Sequence, residues 1–196
     1  VKRTQILAAA SRLFLADGFA GTSMDAVVAA AGVSKQTLYR YFPSKNDLLA
    51  EVLTSLVSLP DVLGQLPAAP ATLAEFRESL IRLGHGLTGA MMRPESIGAL
   101  RLVLGEAIRL PALRDLVRQA LPAQLLGLIE HMLADADARG LIASPRPDLG
   151  ARMLFGSFFS FVALDAMLRE TPTQPPSRDD ITLLVDSFLL TVEVAR

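Results

Sequence analysis

Apolar residues in this chain recur every three or four positions and nowhere alternate, so the pattern predicts helices throughout. Ile6, Leu7, Ala10, Leu13 and Phe14 define the inward face of a first helix. Thr22 and Ser23 are candidate caps for a short second helix over 24–31, with Asp25 in its first turn, where an acid complements the helix dipole. Gly32 follows where a helix commonly ends on a left-handed residue. Val33 can then anchor the turn, and Ser34 can cap a third helix over 35–42. Pro43 stops that helix, and Ser44 with Asp47 opens a fourth carrying Leu48, Leu49, Val52, Leu53 and Leu56.

Farther along, residues 59–70 hold three prolines and Gly64 and read as a loop or a broken helix end. A helix is expected over 72–92, with Leu73, Phe76, Leu80, Leu83 and Leu87 on one face. Pro94 opens another to about 110. A long one is expected over 111–139, ended by Gly140 and kinked or split by Pro122. A very apolar helix runs to about 170, a proline-rich linker spans 171–177, and a last helix extends to about 194. The fold class is therefore all-α, with about nine helices.

The third helix carries the chemistry. At 3.6 residues per turn, Leu38 and Phe42 point inward, while Gln36 and Arg40 fall about 160° from Leu38 on either side. Those two occupy the centre of the outward face, flanked by Thr37, Tyr39 and Tyr41, with Lys35 at the helix start. Glutamine pairs bidentately with adenine and arginine with guanine, so Gln36 and Arg40, with Thr37 beside them, are the candidate base readers. Lys35, Tyr39, Tyr41 and Lys45 suit phosphate oxygens, which set register without reading sequence; Thr22 and Ser34, at the two preceding caps, join that set. A turn glycine, a cap and a short polar-faced helix, in that order, are what a helix-turn-helix reader over about 23–42 requires.

Residues 2–57, including Gly18-Phe19, Thr22-Ser23-Met24 and the run AGVSKQTLYRYFPSK, resemble the N-terminal DNA-binding domain of the TetR family of bacterial transcriptional regulators. The resemblance implies a domain over 1–57 whose third helix enters the major groove. It also implies a helical effector-binding and dimerisation domain over 58–196, and a homodimeric, ligand-released repressor on a palindromic operator. The chain departs from the family in carrying Val28 where alanine is usual, four residues before the turn glycine. The stretch RLVLGEAIRLPAL, residues 101–113, is similar to AefR-like regulators.

Charge agrees with that division. Residues 1–50 hold Lys2, Arg3, Arg12, Lys35, Arg40 and Lys45 against Asp17, Asp25 and Asp47, a surplus of +3, whereas the whole chain has a net charge of −1 and a pI near 6.2. A basic front joined to a mildly acidic rear fits a DNA face on a domain that does not itself bind DNA. The longest uncharged apolar run, 153–164, has 12 residues, short of a membrane span. Arg12 interrupts the first apolar stretch into an amphipathic pattern unlike a leader peptide, and a cytoplasmic protein is expected.

In the family the effector pocket lies among the helices after the DNA domain, which makes Phe76, Leu80, Leu83, Met91, Met92, Leu104, Leu128 and Phe155 candidate wall residues. Each suits plain core packing better than pocket lining, since apolar residues at helical spacing are what any bundle needs. With 51% apolar residues and two histidines, an apolar or aromatic small-molecule effector is expected, with no metal and no other cofactor. The helix over 148–170 is apolar almost all round, which fits either a central core helix or one facing a second subunit. The family resemblance places the dimer interface on the last two long helices, here at Phe158, Phe159, Val162, Ile181, Leu184, Val185, Phe188, Leu189 and Val192.

Catalysis has little to stand on. The chain has no cysteine, no phosphate-binding glycine loop, no histidine-rich metal spacing and no nucleophile elbow, and Ser34 and Ser44 serve as caps. The second reading is a helical small-molecule-binding or interaction protein that has lost sequence-specific DNA reading; the outward set Gln36, Arg40, Tyr41 and Lys45 argues against it.

Overall fold

The computed structural model describes residues 1–56, 70–109, 114, 121–171 and 173–192. Every regular element among them is helical: α1 (Lys2–Gly21), α2 (Met24–Ala31), α3 (Lys35–Tyr41), α4 (Lys45–Leu56), α5 (Leu73–Met91), α6 (Pro94–Arg109), α7 (Leu121–Ala138), α8 (Pro147–Ser160) and α9 (Arg178–Leu189), with a π-helical continuation of α8 over Phe161–Met167. Two compact units result, and they interleave along the chain. The first is Val1–Val57 with Pro94–Leu121, the second Ser58–Arg93 with Pro122–Arg196. The sequence-based division at 57/58 is contiguous, whereas α6 packs on α1 and α4 in the first unit.

In the first unit, Ile6, Ala10 and Phe14 of α1 pack with Val27, Leu38, Leu48, Leu49 and Val52 into one core, to which α6 adds Ala99. Caps define the boundaries. The Ser23 hydroxyl accepts from the Ala26 amide, and Ser34 accepts from that of Thr37. Gly32 adopts φ 63°, its amide donating to the Ala29 carbonyl and that of Val33 to the Val28 carbonyl, a Schellman ending that a Cβ would strain. Gly18, at φ 74°, breaks α1 one turn before its end.

In the second unit, Thr72 caps α5, and Ser177 with Asp180 forms a reciprocal capping box on α9. Pro122 falls at the second residue of α7; most of the expected segment before it, 110–113 and 115–120, lies outside the described residues. The loop expected at 59–70 lies almost wholly outside them too. The last helix stops at Leu189, short of the expected 194.

Together α8 and its continuation form a 21-residue helix, Pro147–Met167, long and apolar enough by length and composition to cross a membrane, unlike the 12-residue uncharged run. Its row Leu154, Phe158, Val162 and Ala166 is buried, and the helix packs on α5 and α9, as a core helix does.

Candidate nucleic-acid interface

The reader helix α3 divides as its wheel predicts. Leu38 is fully buried and Phe42 nearly so, while Lys35, Gln36, Tyr39, Arg40 and Tyr41 are exposed. The inward pair fixes the helix on the core, so the outward side chains project from a rigid base. Tyr39 is 47% and Tyr41 40% exposed, and the Tyr41 ring centroid lies 6.4 Å from that of Phe42. The Arg40 guanidinium sits 5.2 Å from the centroid of the Tyr41 ring, a stacking that holds a long side chain near one position. Thr37 is half-buried, and its hydroxyl lies 2.9 Å from that of Ser34. Thr37 therefore sits at the edge of the face, tied into the cap.

Lys35 extends across the turn to Asp25 of α2, with Nζ 2.8 Å from both carboxylate oxygens. The hydrogen bond and charge of Asp25 raise the Lys35 pKa above the ordinary lysine value. Both side chains are open to solvent, so the pair holds little stability and a phosphate can compete for the ammonium. Sequence reasoning missed Asp25 as a partner, because residues ten apart meet only once the turn is built.

Two of the expected phosphate contacts have partners within the first unit itself. Thr22 is buried, 2% exposed, and its hydroxyl donates to the Gly18 carbonyl at 2.9 Å. Its role is to close the broken end of α1. Lys45 turns inward: Nζ donates to the carbonyls of Phe19 at 2.8 Å and Thr22 at 2.9 Å and lies 4.4 Å from the centroid of the Phe19 ring. Ser34 remains exposed and caps α3.

Six of the nine expected interface residues of the second unit are corrected, and three keep part of their surface open. Phe158, Val162, Ile181, Val185, Phe188 and Val192 are buried within the unit's own fold, and Phe159, Leu184 and Leu189 are half-buried. Periodicity finds the apolar face a helix needs to bury, and here the six buried residues meet that need inside their own subunit. The opposite faces are apolar as well, which the stronger inward stripe had masked. Along α8 and its continuation, Leu149, Met153, Leu164 and Leu168 are 46–77% exposed, with Gly156 and Ser160 between them at the same helical spacing. On α9, Leu183 is 68% and Leu190 88% exposed.

Of the proposed effector wall, Phe76, Leu80, Leu83, Met91 and Met92 are buried, and Leu128 and Phe155 half-buried, all in the second unit. Leu104 lies on α6 in the first unit and is 41% exposed, so it does not line an enclosed wall.

Comparison with known proteins agrees with this geometry. The profile of bacterial regulatory proteins of the tetR family matches residues 6–52, and that of the AefR-like transcriptional repressor C-terminal domain matches 78–193. An uncharacterised HTH-type transcriptional regulator of Mycobacterium tuberculosis is 30% identical over 189 residues, covering 96% of this chain and 86% of the relative. Among solved structures, a TetR-family transcriptional regulator from Mesorhizobium loti superposes with a TM-score of 0.75 at 28% identity, covering 98% of this chain and 97% of the other. The flavonoid-responsive regulator FrrA superposes with a TM-score of 0.71 at 26% identity, covering 98% and 97%.

Proposed function

Since this chain belongs to the TetR family of bacterial transcriptional regulators, with an AefR-like C-terminal domain, we propose that it is a homodimeric, ligand-released repressor of a palindromic operator. That it is a DNA-binding regulator and no enzyme follows from the family. The carrying observation is the division of α3, with Leu38 and Phe42 anchored in the core beneath an exposed row of Gln36, Tyr39 and Arg40. Gln36 and Arg40 read base edges, with Thr37 at the rim. Lys35, Tyr39, Tyr41 and Ser34 meet the backbone.

Pairing of two such readers about one DNA turn apart, roughly 34–36 Å, gives operator symmetry. The surface for pairing is the outward face of the last two helices, Leu149, Met153, Leu164 and Leu168 with Leu183 and Leu190. Exposed leucines in contiguous helical rows favour a partner over water, and Gly156 and Ser160 leave room for a second helix to approach closely.

The effector enters the second unit and is apolar or aromatic. Support comes from the largely apolar interior, in which Ser79, Thr88 and Ser144 are the buried polar residues among those described, and from the flavonoid-responsive relative. Such a ligand lowers DNA affinity only by its differential affinity for two dimer states, reached through a population shift. The repressor sense rests on the description of the AefR-like profile.

Selection from a randomised duplex pool, followed by anisotropy at two salt concentrations, tests the reading. A recovered palindrome bound with a steep salt slope supports it. Binding that is weak, sequence-blind and salt-sensitive overturns it in favour of a protein that has lost sequence reading.

A further inference from the structure

Lys45, the first residue of α4, is half-buried, and its ammonium is turned toward the first unit's own backbone. An ammonium has three donors. One points at the Phe19 carbonyl and one at the Thr22 carbonyl, and the charge sits over the Phe19 ring, whose own side chain is buried against Phe14. These carbonyls belong to the broken end of α1. Gly18 there leaves helical geometry at φ 74°, ψ 167°, and the last turn has no succeeding amides to satisfy it. The Thr22 hydroxyl donates to the Gly18 carbonyl, and Lys45 donates to those of Phe19 and Thr22. A cation at a helix C-terminus also meets the negative end of the dipole. Ser23, the cap of α2, follows Thr22 directly, and α2 leads through Gly32 into α3.

We infer that Lys45 is a positioning residue for DNA reading: its ammonium pins the start of α4 to the α1–α2 corner and so sets the angle at which α3 is presented. The inference rests on the DNA-reading function proposed above. It differs from a phosphate contact in a measurable way. A phosphate contact contributes equally to every sequence and adds about 0.9 to the salt slope. A positioning pin contributes to cognate binding alone, because only base contacts demand an accurate helix angle, and it releases no counterion from DNA.

Two experiments decide it. The first compares the wild type with Lys45→Met, which keeps the stem and removes the donors, on a duplex recovered by selection and on its scrambled counterpart across a salt series. The expected result is a cognate affinity at least tenfold weaker, scrambled binding within twofold of wild type, and an unchanged salt slope. A slope shallower by about one unit, with both duplexes weakened alike, overturns the inference in favour of a phosphate role. A lowered melting temperature with cognate affinity of the folded protein intact overturns it in favour of a merely structural one. Wild-type protein that selects no sequence at all sinks the DNA-reading proposal itself, an outcome separate from these.

The second experiment needs no variant. The chain has three lysines, Lys2, Lys35 and Lys45, so reductive methylation read by mass spectrometry resolves each. Without DNA, Lys45 should react several-fold more slowly than Lys35, and the selected duplex should protect Lys35 while leaving the Lys45 rate unchanged. A Lys45 that reacts as fast as Lys35 in free protein, and is protected by DNA, refutes the pin.

Discussion

Gly84 lies directly beneath the Phe158 ring: a Cβ at that position would stand 2.6 Å from Cζ and 3.0 Å from Cγ2 of Ile181. The glycine lets α5, α8 and α9 close on one another in the second unit, with Phe158 filling the space a side chain would occupy. Gly84→Ala gains up to about 1 kcal/mol of helix propensity. It loses about 1–3 kcal/mol to overpacking, since Phe158 is 2% exposed and hemmed in. The clash should win, with a net loss of about 1–2 kcal/mol in urea denaturation at fixed protein concentration. Gly89, on the same helix, has nothing within 4 Å of its Cβ position. Gly89→Ala should therefore stabilise, by up to about 1 kcal/mol. Equal shifts from the two variants would refute the close packing at Gly84.

The dimer proposal makes an equally sharp contrast on α9. Leu183 and Leu190 are exposed, whereas Phe188, 5% exposed, belongs to the subunit core. Leu183→Glu and Leu190→Glu should each shift sedimentation from dimer toward monomer while leaving the helical far-UV spectrum intact. Phe188→Glu should lower the melting temperature sharply, because it buries an unpaired carboxylate. A monomer produced by Phe188→Glu with unchanged stability, or a dimer untouched by both leucine variants, would move the interface elsewhere.

The same contrast shows what was legible in the sequence. Helix positions, the Gly32 and Gly140 endings and the serine caps could be read directly, because each depends on residues within one turn of one another. Periodicity likewise separated Leu38 and Phe42 from Gln36 and Arg40, since burial on a single helix follows its wheel. Long-range partners could not be read. Lys45 looked like a phosphate contact until the carbonyls of Phe19 and Thr22, 26 and 23 positions away, came within reach. Ile181, Val185 and Phe188 looked like an interface because an apolar stripe has the same signature whether it packs on its own subunit or on a copy. The π-helical turn after Ser160 left no signal in the pattern.

Acid should weaken the second unit through Arg77 and Asp186, which join α5 to α9 by two charge-assisted hydrogen bonds of 2.5 and 2.8 Å. The hydrogen bond from Arg77 lowers the Asp186 pKa below its ordinary value, and Glu78 is lowered likewise by hydrogen bonds from Arg82 and Arg178. A carboxylate depressed in the folded state contributes stability above its unfolded pKa, and that contribution disappears as pH falls through the folded value. The urea midpoint should therefore decline as pH drops below about 4. Asp186→Asn should lower the midpoint at neutral pH and flatten the acid limb, because the titrating group is gone. The partial exposure of both side chains keeps the effect small. An acid limb as steep in Asp186→Asn as in wild type would assign the dependence to other carboxylates.

On the reader helix, Gln36, Arg40 and Lys35 should separate by what each loses. Gln36→Ala and Arg40→Ala remove side chains capable of bidentate base pairing, aimed outward from a face anchored by Leu38, so each should cost about 1–3 kcal/mol on the selected duplex and relax preference at one base position per half-site. The salt slope should stay unchanged for Gln36→Ala, which removes no charge. Lys35→Ala removes an exposed cation that leaves Asp25 for the phosphate backbone, so it should weaken cognate and scrambled duplexes together and make the slope shallower by about 0.9. Cognate-to-scrambled ratios measured for all three at two salt concentrations check the assignment. An unchanged ratio for Gln36→Ala and Arg40→Ala would mean that α3 does not carry the base contacts, even though both side chains are exposed on its outward face.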